Sequence, residues 1–328
     1  MSQLWKQFWF LLALGGILSS GIAVGYFAPT AFVDTYLTVV RPNMTTAVVL
    51  FLMAYSLDSS QLRESLRRPG AAVWGAVVNL GLLPLIAAVA ARGLTPRDFS
   101  LGLIITAVAP CTLATASVFT RRAGGNDAIS LLVTLLTNSA CVVVTPLWLQ
   151  ALVSRTTELE LSGIIRQLVL CVLLPTLLGQ LALIPRASRA WARRVHREMS
   201  LTSQLIVLLI VSVAAMKGGW ELRRQAAWPP LSDFGSMAAM CLVVHVVGLA
   251  GGWYGGEWLR LSPEDRIATA IAGSQKTLPV GLLIATNPSV VSAAVPFVTF
   301  PLLVFHAIQL VLDTALADAW RVRRGVTD

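Results

Sequence analysis

The stretch Ala272-Gly273-Ser274-Gln275-Lys276-Thr277-Leu278-Pro279-Val280-Gly281 decides how the rest of the chain reads. It lies inside an apolar run, Ile267 to Thr286, long enough to cross a bilayer, which takes roughly 20 residues of helix. Lys276 then sits near the bilayer centre, where an ammonium costs roughly 2.5–3.5 kcal/mol on insertion scales. About nine residues separate it from either end of the run, too many for its stem to snorkel to the interface. Ser274, Gln275 and Thr277 around it are short polar groups, and Gly273 and Pro279 interrupt the helix. Non-helical backbone at that depth persists only where protein or a water-filled cavity satisfies it. The stretch therefore predicts a broken spanning helix built around a buried cation.

A second interruption, Ala109-Pro110-Cys111-Thr112-Leu113-Ala114-Thr115, lies in a comparable run, Leu101 to Thr120. Ten such runs follow one another. The first five are Phe8 to Phe27, Tyr36 to Leu57 (with the helix proper starting at Pro42), Ala71 to Ala91, Leu101 to Thr120 and Ala128 to Val153. After a polar break at Ser154 to Gly163 come Ile164 to Leu183, Met199 to Met216, Leu231 to Leu259, Ile267 to Thr286 and Val291 to Leu316. The reading is an all-α integral membrane protein in two halves, residues 1–153 and 164–328. Five spans is an odd number, so the second half enters the membrane from the opposite side, as an inverted repeat. Each half carries its interruption in its fourth span. Paired breaks of this kind point to a binding site near the midplane.

Composition agrees. Of the 328 residues, 56% are hydrophobic and 12% charged, against about 25% charged in soluble domains. The net charge of +9 does not read as a nucleic-acid surface, because the basic residues sit in short runs between apolar stretches. Lys6, Arg63, Arg67, Arg68, Arg121, Arg122, Arg186 to Arg197, Arg260, Arg266, Arg321, Arg323 and Arg324 fall on one side of the membrane and outnumber the Arg and Lys of the other. Positive charge favours the cytoplasmic side, which places both termini in the cytoplasm of a multi-pass inner-membrane protein. The segment Arg186 to Arg197 reads as a connector, not part of a site. The four cysteines all lie in apolar runs and show no disulfide or zinc spacing. No hydrolase, zincin or phosphate-loop motif is present, which excludes the common enzyme readings.

Polar residues inside the spans are the candidate site. Thr112, Thr115 and Ser117 accompany the first break; Ser274, Gln275, Lys276 and Thr277 form the second. Ser130, Thr134 and Asn138 repeat every fourth residue and stripe one face of the fifth span, with Thr137 beside them. Their oxygens suit alkali cations or polar cargo, and small hydroxyl residues also glue spanning helices together. Asn79, followed by Pro84, is a lone amide in the third span. His306, Gln309 and Asp313 share a face of the tenth, where a proton relay is one reading and headgroup contact of Asp313, or its pairing with a terminal Arg, the other. His245 reads as a packed or hydrogen-bonded histidine.

At these residues the chain resembles the bile acid:sodium symporter superfamily, in particular its bacterial branch similar to the seventh vertebrate bile-acid carrier. The resemblance runs through Arg41-Pro42, Phe51 to Leu57, Ala109-Pro110-Cys111-Thr112, Val118 to Arg121, Ala123 to Ala128 and, most specifically, Ala272 to Gly281. It implies a panel domain (spans 1, 2, 6 and 7) and a core domain (spans 3–5 and 8–10). Broken spans 4 and 9 cross in the core, and cargo sits between the domains. It further implies two sodium ions behind the crossing in the sodium-coupled relatives. Ser130 and Thr134 match the first ion, with Thr115 and Ser117 near its matching segment. Asn79 and Gln275 match the second. Two positions depart: the glutamate that bridges both ions falls at Ile271, and an asparagine at the crossing falls at Lys276.

The expected function is secondary transport of small organic anions by alternating access, with no cofactor and with Na+ or H+ as coupling ion. Thr112, Thr115, Lys276 and Thr277 are the expected cargo contacts, with Lys276 fixing the sign of the cargo and standing in for a cation. Asn79, Ser117, Ser130, Thr134, Asn138 and Gln275 are the expected ion-coupling residues. Two alternatives remain: a metalloid efflux carrier using Cys111, and a membrane regulator of ion homeostasis with no transport of its own.

Overall fold

The computed structural model describes residues 2–57, 69–113, 115–153, 159–224, 228–291, 295 and 297–324. Arg63, Arg67, Arg68, Ala114 and Ser154, used in the reading above, lie outside the described residues. Every regular element among the described residues is helical. In chain order they are α1 (Ser2–Phe27), α2 (Thr30–Val39), α3 (Pro42–Ser56), α4 (Pro69–Gly93), α5 (Arg97–Val108), α6 (Thr115–Arg122) and α7 (Asp127–Val153). Then come α8 (Leu161–Leu181), α9 (Arg186–Arg194), α10 (His196–Arg223), α11 (Leu231–Trp258), α12 (Pro263–Ser274), α13 (Leu278–Ala285) and α14 (Phe300–Arg323).

Seven of these stretches are long and apolar enough to cross a membrane, Pro263–Ala285 counting as one, and the bent pair α2–α3 makes an eighth. The protein is thus a multi-pass helical membrane protein. Two of the ten expected spans fall outside that count. The described apolar part of the first is Leu12–Phe27, and the fourth is split into α5 and α6.

Three boundaries differ from the sequence reading, each for a local reason. The second span bends by 42° between α2 and α3, because Pro42 opens α3 without an N–H to give and holds Arg41 extended. The seventh is a full α10, His196–Arg223, and not Met199 to Met216. The added ends carry His196, Arg197 and Glu198 on one side and Lys217, Glu221 and Arg223 on the other, which lie outside the apolar run. The tenth helix starts at Phe300, not Val291, and runs on to Arg323.

Packing sorts the helices into two sets. α1, α3, α8 and α10 pack against one another, while α4 to α7, α11, α12 and α14 make up the other set. Small residues set the closest approaches, as expected where lipid removes any hydrophobic drive between helices. On α11, Gly248, Gly252 and Gly256 recur every fourth residue and lie against α12. A Cβ on Gly252 would collide with the Thr269 carbonyl and the Ala270 backbone. At the ends, Arg121 pairs with Asp127, and Arg122 makes a forked pair with Asp318 at 2.6 and 2.7 Å. Arg324 pairs with Glu264.

Candidate functional site

The two interruptions meet. Helix stops at Val108 and resumes at Thr115 in the first, and stops at Ser274 and resumes at Leu278 in the second. The Thr277 amide donates to the Pro110 carbonyl at 2.9 Å, so each break satisfies backbone of the other. Helix α7 serves the first break with the expected stripe. Thr134 Oγ1 donates to the carbonyls of Ser130 (2.9 Å) and Thr112 (3.2 Å), Thr137 Oγ1 accepts from the Cys111 amide, and Asn138 Nδ2 donates to the Cys111 and Thr134 carbonyls. Ser130 Oγ and Asn138 Oδ1 are buried with no hydrogen-bond partner among the described residues.

Behind the second break lies α4, and its sequence explains a special carbonyl. Val78–Leu82 is a π-turn in which the Leu83 amide reaches back to Val78. The next donor that could serve Asn79 in that wide turn is Pro84, which has no N–H. The Asn79 carbonyl is left over, and Lys276 Nζ donates to it at 2.6 Å. The same nitrogen donates to Asn79 Oδ1 (3.2 Å) and to the Ala109 carbonyl (2.8 Å) of the other break. Asn79 Nδ2 is committed to the carbonyls of Ala272, Gly273 and Gln275. The amide orientation is therefore fixed, and its oxygen must face the lysine. Gln309 on α14 clamps the Lys276 backbone, accepting from its N–H at 2.9 Å and donating to its carbonyl at 3.0 Å.

One carboxylate shares this interior. Asp313 has no exposed surface; it accepts from Gln275 Nε2 at 2.6 Å and meets His245 Nε2 at 3.0 Å. Gln275 Oε1 in turn accepts from Thr115 Oγ1 at 2.9 Å, and Thr115 touches Thr112 at 2.6 Å. A hydrogen-bonded chain thus runs from the first break to the buried carboxylate and imidazole. Asp313 is not at a membrane surface, and His245 is hydrogen-bonded, one of the two roles its sequence position offers. The face shared by His306, Gln309 and Asp313 was legible; the depth of Asp313 was not, because α14 extends further than its apolar run.

Thr112, Thr115 and Thr277 open onto a cavity of about 700 Å³ between the two helix sets. Its opposite wall comes from α1 (Trp9, Phe10), α3 (Met53, Tyr55) and α10 (Ser203, Gln204, Val207). Arg121 of α6 and Arg189 and Arg193 of α9 also line it. The basic connector is therefore part of the cavity wall, which its hydrophilic sequence alone did not suggest. Ser117 lines the cavity too. Lys276 and Cys111 do not: Lys276 is 2% exposed and aimed away from the cavity, and Cys111 is wholly buried against Thr134 and Thr112.

Broken helices meeting beside a cavity, in a multi-pass helical protein, are the architecture of a membrane transport protein. The chain belongs to the SBF-like CPA transporter family, whose profile matches residues 9–322. It is 23% identical to a probable chloroplastic sodium/metabolite cotransporter, BASS4, of Arabidopsis thaliana, over 94% of this chain and 72% of the relative. It is 24% identical to the sodium-dependent transporter YocS of Bacillus subtilis, over 90% and 87%, and 21% to sodium/bile acid cotransporter 7-A of Xenopus laevis, over 94% and 87%.

Proposed function

We propose that this protein carries small organic anions across the inner membrane by alternating access. The cavity is the cargo site, α1, α2–α3, α8 and α10 the panel, and the remaining spans the core. In this reading the ten spans form two inverted repeats, residues 1–153 and 164–328, with both termini cytoplasmic. The observation that carries the proposal is the chemistry of the cavity wall. Arg189 Nε and Ser203 Oγ, both on that wall, are buried with no hydrogen-bond partner among the described residues. A guanidinium on a cavity wall selects an anion, and Arg189 is held there with its Nη2 donating to the Ile184 carbonyl at 3.5 Å. Helices α6 and α13 also begin at the two breaks, so their positive dipole ends face the same space. The names of the Arabidopsis and Xenopus relatives, a metabolite and a bile-acid cotransporter, agree with such cargo. Cys111 does not face the cavity, so nothing favours the metalloid reading.

Uptake by the purified protein in liposomes tests this directly. A radiolabelled bile acid and a short monocarboxylate serve as probes, under an imposed sodium gradient and, separately, a proton gradient. Saturable uptake of an anion under one gradient is expected, and the two arms identify the coupling ion. Binding and transport of neither anion under either gradient would overturn the reading and favour a regulator without transport.

A further inference from the structure

Lys276 Nζ lies within hydrogen-bond distance of three oxygens: two backbone carbonyls, Asn79 and Ala109, and one side-chain amide oxygen, Asn79 Oδ1. None of the three can donate. A neutral amine has two N–H bonds and a lone pair, and the lone pair would have to face one of these oxygens. An ammonium has three N–H bonds and no lone pair, which matches the count. The oxygens come from different elements, a π-turn and a broken helix, and each is an amide-type oxygen freed from helical pairing or fixed in orientation. Such a set is what an alkali cation needs, hard neutral oxygens converging at depth. The residues matching the second sodium site of the sodium-coupled relatives do not fit a free ion here. Asn79 gives its oxygens to Lys276, Gln275 is committed to Thr115 and Asp313, and Ile271 replaces the carboxylate.

We propose that the oxygen nest at Asn79 and Ala109 is a monovalent cation site whose permanent occupant is the chain's own Lys276 ammonium. Sodium therefore does not bind at this place, and removing the lysine head creates a vacancy that a small free cation fills. The proposal does not depend on the identity of the cargo, nor on whether the cavity transports at all.

The test reads thermal melting of the purified protein and two variants in chloride salts of sodium, ammonium and N-methyl-D-glucamine at constant ionic strength. Any salt response of the wild type arises outside the nest and is the baseline against which both variants are read. Lys276→Ala should melt lower by roughly 5 °C or more in N-methyl-D-glucamine, and recover in a saturable way with sodium or ammonium. Lys276→Met, whose stem still fills the approach to the nest, should fall without recovering. Recovery of Lys276→Met with sodium to the same extent as Lys276→Ala would overturn the proposal. So would a folded Lys276→Ala that responds to none of the salts. Should Lys276→Ala not fold in any salt, the double variant Ile271→Glu/Lys276→Asn decides: a sodium-dependent rise supports the nest, and its absence counts against it. Liposome uptake is a separate measurement, so loss of transport alone leaves this result unaffected.

Discussion

Asp313 is held by one amide and one imidazole and has no exposed surface. Deleting one side of a buried polar set leaves the others unpaired. Asp313→Leu should therefore destabilise by roughly 3–5 kcal/mol, read as a lower melting midpoint of the purified protein. Asp313→Asn should cost about 1 kcal/mol or less, because its oxygen can still accept from Gln275 while its amide donates to His245. Equal effects of the two variants would show that shape, not hydrogen bonding, is what this position supplies. Lys276 was legible because an ammonium far from both ends of an apolar run has few physical excuses. Its role was not. Sequence depth says that a partner is needed, but only the π-turn before Pro84 shows that the partner is a backbone carbonyl. Asp313 was misplaced for the converse reason: a carboxylate near the end of an apolar run reads as interfacial until the helix is seen to continue past it.

Among the elements, α11 and α12 show how closely the second break is braced. Gly252 lies where any Cβ would enter the α12 backbone, and Gly248 meets Ser274, the last residue before the break. Gly252→Val forces these helices apart, and the displacement travels straight to Gln275 and Lys276. Its melting midpoint should drop, and uptake in liposomes should be lost even in detergent-stable protein. Gly235→Val on the same helix, where the added Cβ meets nothing, is the control and should behave as wild type. Wild-type melting and uptake in Gly252→Val would show that the break does not depend on this contact. The glycine repeat was visible in the sequence only as a helix rich in glycine, a weakness by helix propensity. In lipid the same residues are what allow the helix to sit where it does. The seventh span was read short because α10 carries charged residues in both of its end turns, which no apolar run includes.

At the scale of the whole molecule, the cavity separates two helix sets, and its cationic wall comes from Arg121 of one set and from α9, which joins α8 to α10 within the other. Arg189→Gln should raise the KM for anion uptake by about tenfold, with little change in kcat, the signature of lost uniform binding. An unchanged KM would remove Arg189 from the cargo site. The architecture of paired breaks was readable from residue types and spacing. The cavity was not, because it depends on how far apart the two sets stand, which no local pattern encodes. All four cysteines, Cys111, Cys141, Cys171 and Cys241, are buried and unbridged. The natural chain is therefore already a quiet background for thiol-reactive dyes, with no need to strip its own sulfurs first. A single Gln204→Cys reporter on the cavity wall should react with a membrane-impermeant maleimide from one face of the bilayer at a time. The ratio of labelling between the two faces would then track the conformational equilibrium as cargo is added.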